Sequence, residues 1–166
     1  HRLATTDVLT QSSNRRHFFV CARREFEHAR QFGSPLAFLL LDLDDFKKIN
    51  DQYGHQIGDQ VLQRLAHCGS NALRRGDLFG RIGGEEFLLI LPGLDAQAAE
   101  ARLESLRVQL ASMDQPTRIG ALPVTLSAGI AVWPVNGDQL DGLLHAADVA
   151  LYVAKRSGRN RVALAS

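Results

Sequence analysis

The segment DLFGRIGGEEFLLIL, Asp77 to Leu91, sets two apolar runs on either side of Gly83-Gly84. Short apolar runs joined by paired glycines carry the signature of a β-hairpin with a two-residue turn. The second run is almost unbroken in apolar character, as in a strand covered on both faces. This predicts an antiparallel hairpin inside a larger sheet, with helices packed on it. Two acids, Glu85 and Glu86, stand between the glycines and that buried strand. Strand alternation would point them to opposite faces.

The rest of the chain supplies the partners. SSNRRHFFVCARREFEHARQF has Phe18, Phe19, Ala22, Phe26 and Ala29 at helical spacing. It runs from a capping Ser12 or Ser13 to a stop at Gly33. PLAFLLLDLD reads as a buried strand. GDQVLQRLAHCGSNAL reads as a helix with Val61, Leu62, Leu65, Ala66 and Leu73 on one side. DAQAAEARLESLRVQLASM is a further helix, with Asp95 as its cap. LPVTLSAGIAVW is β-rich, DQLDGLLHAADVALYVAKRSG is a helix ending at Gly158, and NRVALA is a last short strand. Without the first helix the order is βαββαβ plus one strand. The fold class is therefore α+β, a mixed and largely antiparallel sheet with helices packed on it.

A length of 166 residues suits one domain. The whole chain is read as that domain, with residues 1–10 as the end of a linker from an upstream module. The net charge of +1 gives no bias toward nucleic acid polymers or acidic lipid. No apolar run approaches the roughly 18 residues of a membrane span, so no membrane contact is expected of this domain. Cys21 and Cys68 lack metal-type spacing and read as buried free thiols of a reducing, cytoplasmic compartment.

Acids recur at two strand ends: Asp42, Asp44 and Asp45 in LDLDDF, and Glu85 with Glu86. Carboxylates brought together repel unless a cation joins them. Oxygen ligands without a Cys or His cluster suit Mg²⁺ or Mn²⁺, which borrow further ligands from substrate phosphates. Caps and solvated turn residues are the alternative, and Asp44 or Asp45 could cap the next helix. DDFKKIND adds a helix start beside Lys47 and Lys48, a ready phosphate site or a solvated face. Lys155 and Arg159, four apart, could grip terminal phosphate oxygens or compensate a helix dipole. Asn50 and Asp59 flank the turn-rich DQYGHQIG. A carboxylate there could accept from guanine N1–H and the 2-amino group, or serve as an N-cap after Gly58.

These pieces together resemble the GGDEF-domain diguanylate cyclases, with the signature written GGEEF. Further blocks match in order: DVLTQSSNRRHF, LDLDDFKKINDQYGHQIGDQVLQRLA, RRGDLFGRIGGEEFLLILP, VTLSAGIAVWP and ADVALYVAKRSGRNRV. The resemblance implies a palm/cyclase-like (ferredoxin-like) fold, and condensation of two GTP into cyclic di-GMP with release of pyrophosphate, across a symmetric homodimer. It implies metal ligation by Asp42, the Leu43 carbonyl, Glu85 and Glu86, with two Mg²⁺ or Mn²⁺ per half-site. Asp42, Glu85 and Glu86 are the implied catalytic residues, and Glu85 is also implied in deprotonating the 3′-hydroxyl. Asn50 and Asp59 match the guanine-reading pair. Phe46, Lys47, Lys155 and Arg159 match the phosphate site, and Gly83 and Gly84 let the nucleotide lie close. Arg74-x-x-Asp77 resembles the inhibitory site for product, with Arg102 or Arg107 as a second arginine. A catalytically silent cyclic di-GMP receptor or a GTP-binding regulatory domain is the alternative. One block departs: Gln11 and Ser12 replace Gly and Leu in DVLTQSSNR, which bears on coupling to an upstream module.

Overall fold

The computed structural model describes residues 4–166; residues 1–3 of the expected linker lie outside them. Helix α1 (Arg15–Phe32) precedes strand β1 (Leu36–Leu43). Helices α2 (Phe46–Tyr53) and α3 (His55–Asn71) follow, then β2 (Leu78–Arg81) and β3 (Glu86–Pro92). Helix α4 (Ala96–Ala111), a small hairpin β4 (Gln115–Thr117) and β5 (Gly120–Leu122), β6 (Leu126–Trp133), α5 (Leu140–Arg156) and β7 (Val162–Leu164) complete the chain. The five-stranded sheet has the order β2-β3-β1-β6-β7. Every neighbouring pair is antiparallel except β6 with β7. The expected α+β architecture and its βαββαβ order are therefore present.

β1 is buried at every position, and its alternation divides the core. Ala37, Leu39, Leu41 and Leu43 pack with α3 and α4. Leu36, Phe38 and Leu40 pack with α1 and α5. Each fully buried leucine or phenylalanine contributes about 1.5–3 kcal/mol relative to an exposed one. Helix α5 lies so close to β6 that a Cβ on Gly129 would sit 2.1 Å from the Ala147 carbonyl oxygen.

Several local expectations are corrected. The cap of α1 is Asn14, whose side chain accepts from the His17 N–H at 2.9 Å; Ser12 and Ser13 lie in the preceding loop. Helix α5 ends at Arg156, two residues before Gly158. DQYGHQIG is helical except for the break at Gly54, where φ is 90°, so Asp59 lies within α3 and not at its start. Leu73 lies past the end of α3 but packs against the core. The β4–β5 hairpin, held by three Cα pairs, lacks the apolar alternation that would have announced it. Only Cys68 is buried; Cys21 is half-buried. Asp95 does cap α4, accepting from the Ala98 N–H at 2.9 Å.

The leading segment folds back on the domain. Asp7 bonds Arg81 at 3.1 Å and accepts from the Thr10 N–H at 2.9 Å. Gln11 takes a left-handed φ of 63°, at the position where the resembling block has glycine. A side chain there costs about 1–2 kcal/mol.

Candidate functional site

The Gly83-Gly84 turn is wider than its sequence signature. Arg81 pairs with Phe87, and the Ile82 N–H donates to the Glu86 carbonyl at 3.0 Å, leaving Gly83, Gly84 and Glu85 in the loop. Neither Gly83 nor Gly84 has positive φ. The loop's shape is fixed by arginines: Arg81 donates to the Gly84 carbonyl at 2.8 Å, and Arg15 to that of Ile82 at 2.8 Å. A Cβ on Gly84 would meet nothing within 4 Å. Gly84 therefore keeps the surface of the turn bare, which suits a ligand lying on it, while a Cβ on Gly83 would come 3.3 Å from Glu86 Oε1.

Asp42 and Glu86 face each other across β1 and β3. They extend the apolar rows that pack on α1 and α5, so Asp42 ends up buried at 4% exposure. Lys155, from α5, donates to Asp42 Oδ2. Asp42 Oδ1 is buried with no hydrogen-bond partner. Burial raises the Asp42 pKa to about 6; Glu85 and Glu86 add to the rise and Lys155 opposes it. Burial also raises Glu86, with Asp148 and Glu85 adding to it and Lys155 and Arg15 opposing.

The two adjacent glutamates, one in the loop and one opening β3, line different spaces. Glu85 lines a cavity of about 160 Å³ with Asp42, Leu43, Phe46, Lys47, Lys155 and Arg159. Glu86 lines a second cavity of about 270 Å³ with Asp148, Tyr152 and Lys155. Lys155 stands between them. Lys155 and Arg159 share the first cavity although Arg159 lies beyond the helix, with φ of 62°.

Asp44 is not a cap. It is buried and accepts from Ser127 Oγ at 2.6 Å, Thr125 Oγ1 at 2.7 Å and the Asn160 N–H at 2.9 Å. It thereby fixes the turn that carries Arg159. Asp45 occupies the α2 cap position with φ of 55°, makes no capping bond, and sits 3.7 Å from Arg159. Sequence reasoning missed these positioning roles, because the polar partners of Asp44 come from β6, the residue before it and the α5–β7 turn.

Asn50 packs onto α3, where a Cβ on Gly58 would come 1.9 Å from its Oδ1. That oxygen is buried without a partner, and the exposed Asp59 is the next residue. Gly58 is what lets the two helices close with Asn50 beside Asp59.

A separate cluster forms at the far end of β3. Asp77 has a side chain only 1% exposed and accepts from the Arg74 N–H at 2.8 Å and Arg102 Nη2 at 3.0 Å. Arg74 also reaches the Pro92 carbonyl at 3.3 Å. Arg102 Nη1 is buried with no partner. Arg107 is elsewhere, paired with Glu104 and donating to Asn160 Oδ1 at 2.7 Å.

Among the described residues, no three His, Cys, Asp or Glu side chains form a closed metal cage. The donors nevertheless fit a hard divalent cation. A buried carboxylate with one unpartnered oxygen, beside two glutamates that raise its pKa, has the donor chemistry that suits such a cation.

The fold and site thus define an α+β domain that gathers carboxylates and phosphate-type cations at one end of its sheet. Residues 4–161 match the family described as diguanylate cyclase, GGDEF domain, and the chain belongs to that family. The diguanylate cyclase DosC of Escherichia coli K12 is 37% identical over 163 residues, covering 95% of this chain and 34% of DosC. The chain spans about a third of the length of such curated relatives. The GGDEF domain of DgcB from Caulobacter crescentus, crystallised with c-di-GMP, superposes with a TM-score of 0.92. It is 37% identical, covering 99% of this chain and 98% of that one. An active GGEEF domain of a diguanylate cyclase from Vibrio cholerae gives 0.86 at 33% identity, covering 92% and 97%. That relative shares the glutamate variant of the signature.

Proposed function

We propose that this chain is the catalytic domain of a diguanylate cyclase, condensing two GTP into cyclic di-GMP and two pyrophosphates across a symmetric homodimer. The observation that carries the reading is one cavity. It gathers buried Asp42, Leu43, Glu85, Lys47, Lys155 and Arg159, with Asn50 and Asp59 on the adjoining helices.

In each bond-forming step the 3′-oxygen of one GTP bonds to the α-phosphorus of the other. The bond from that phosphorus to pyrophosphate breaks, and the hydroxyl proton passes to a carboxylate, assigned to Glu85. Asp42, the Leu43 carbonyl, Glu85 and Glu86 would hold Mg²⁺ or Mn²⁺, two per half-site. The metal supplies charge neutralisation at the phosphates and a more acidic hydroxyl. Phe46, Lys47, Lys155 and Arg159 hold the phosphate tail. Asp59 accepts from the guanine N1–H and 2-amino group, donors that adenine does not offer as a pair, and Asn50 serves the remaining edge. Gly83 and Gly84 leave room for the nucleotide on the turn.

Arg74, Asp77 and Arg102 are assigned to product inhibition, since planar guanidiniums with a spare donor suit guanine and phosphate. No helix among the described residues is long and apolar enough to cross a membrane. We assign the domain to the cytoplasm, downstream of a sensory module, with no nucleic acid polymer as partner.

The test is cyclic di-GMP formation from GTP and Mg²⁺ across a range of protein concentrations, with and without added product. Turnover per chain should rise with concentration and fall with product. Concentrated, dimeric protein that forms none would refute the cyclase reading and leave the silent receptor or the GTP-binding regulatory domain.

A further inference from the structure

The cavity beside Glu86 is separate from the phosphate pocket. It is lined by Glu86, Asp148, Val149, Leu151, Tyr152 and Lys155. Asp148, Tyr152 and Lys155 recur at helical spacing and share one face of α5. Asp148 is exposed, and Lys155, the cation on that face, is committed to Asp42. Tyr152 is 59% exposed, yet its ring is held in place. The Arg156 guanidinium lies 5.6 Å from the ring centroid and donates to its hydroxyl at 2.9 Å.

This combination has a definite chemical preference. Ionised carboxylates only accept hydrogen bonds, so Glu86 and Asp148 together suit a group rich in hydroxyl donors. A fixed aromatic ring beside them offers a flat apolar surface for the C–H side of a sugar. The cavity adjoins Glu86, which pairs with Asp42 across the strands, so a ribose held here has its hydroxyls beside the reacting centre. Its position on the outer face of α5 leaves it accessible to a nucleotide carried by another molecule.

We propose that Asp148 is a positioning residue for the attacking nucleoside: with Glu86 it accepts the ribose hydroxyls of the GTP presented by the opposed copy, while Tyr152 packs against the sugar. This rests on the dimeric cyclase reading. The hydroxyl beside the nucleophile is the 2′-hydroxyl, so Asp148 also selects ribonucleotide over 2′-deoxyribonucleotide.

The test compares the wild-type chain with Asp148→Ala and Asp148→Asn, using GTP and 2′-deoxyGTP at protein concentrations where the wild type is dimeric. Binding of a non-hydrolysable GTP analogue is measured on each. Analogue affinity should stay within about twofold, because each copy's own nucleotide sits in the phosphate pocket. The kcat with GTP should fall about 10–100-fold in Asp148→Ala, the scale of a misplaced nucleophile, with KM nearly unchanged. The preference for GTP over 2′-deoxyGTP should shrink about tenfold or more. Asp148→Asn, which keeps an acceptor, should recover part of both. An unchanged ribose preference in Asp148→Ala, or equal losses with both substrates, overturns the inference while the cyclase reading stands. A wild type that makes no product from GTP overturns both.

Discussion

Strand β3 begins at one charged cluster and ends near another, and the two are opposite in what they lack. At Glu86 the acids outnumber the cations: Asp42, Glu85 and Glu86 share Lys155, and a buried Asp42 oxygen has no partner. At Pro92 the cations outnumber the acids: Arg74 and Arg102 share Asp77, and a buried Arg102 nitrogen has no partner. Buried polar groups are normally paired, so an orphan points to what the site receives. The first end calls for cations and the second for an anion or a hydrogen-bond acceptor. A strand of this length places them roughly 20 Å apart on one rigid element. Under the proposed assignment, product bound at the second end would restrain the first without occupying it.

The largest effect should come from removing charge at the cation-poor end. Glu86→Gln keeps the shape of the side chain, and cyclic di-GMP formation should fall by about a thousandfold or more. The melting temperature should stay within a few degrees. Product formation within tenfold of the native rate would remove Glu86 from the chemistry.

Asp42 sharpens the contrast through stability. Its pKa, raised from 3.8 to about 6, means that the folded state holds the proton more tightly than the unfolded chain. Its contribution to stability is full below about pH 4 and is lost as the pH rises through about 6, a change of about 3 kcal/mol. Asp42→Asn lacks that loss. Without divalent metal, the variant should gain on the native chain by up to that amount between pH 4 and pH 7 in denaturant titrations. A difference independent of pH would show that Lys155 already neutralises the carboxylate in full.

The pattern of apolar residues made the sheet, its hairpin and the helices legible because each buries a long run or a clear periodic face. The acids at Asp42, Glu85 and Glu86 were legible because they interrupt such runs. Three things were hidden for physical reasons. The true width of the glycine loop depends on Arg15 and Arg81, which come from other segments. The role of Asp44 depends on Thr125, Ser127 and Asn160, far along the chain. Spacing alone could not separate Arg102 from Arg107, since both lie on α4; only packing against Asp77 does so.

At the cation-rich end, Arg102→Ala should weaken product inhibition about tenfold to fiftyfold, measured as the product concentration that halves the initial rate. It removes the half-buried guanidinium and leaves Asp77 with Arg74 alone. Arg74→Ala should act in the same direction but through an exposed side chain. Inhibition unchanged in both variants would separate this cluster from product binding, and the comparison of the two ends would lose its second half.

Arg107 provides the smallest and most discriminating change. It comes from the same helix as Arg102, yet it bonds Asn160, the residue after Arg159, whose N–H is held by Asp44. Arg107→Ala therefore loosens the turn that presents Arg159 to the phosphate pocket. The loss of a partly exposed ion pair and a hydrogen bond to the turn is worth about 0.5–1 kcal/mol. KM for GTP should rise about twofold to fivefold, with the inhibition constant for product unchanged. The opposite result, altered inhibition with native KM, would place Arg107 functionally with Asp77 despite its geometry. It would also show that the two ends of β3 communicate through α4.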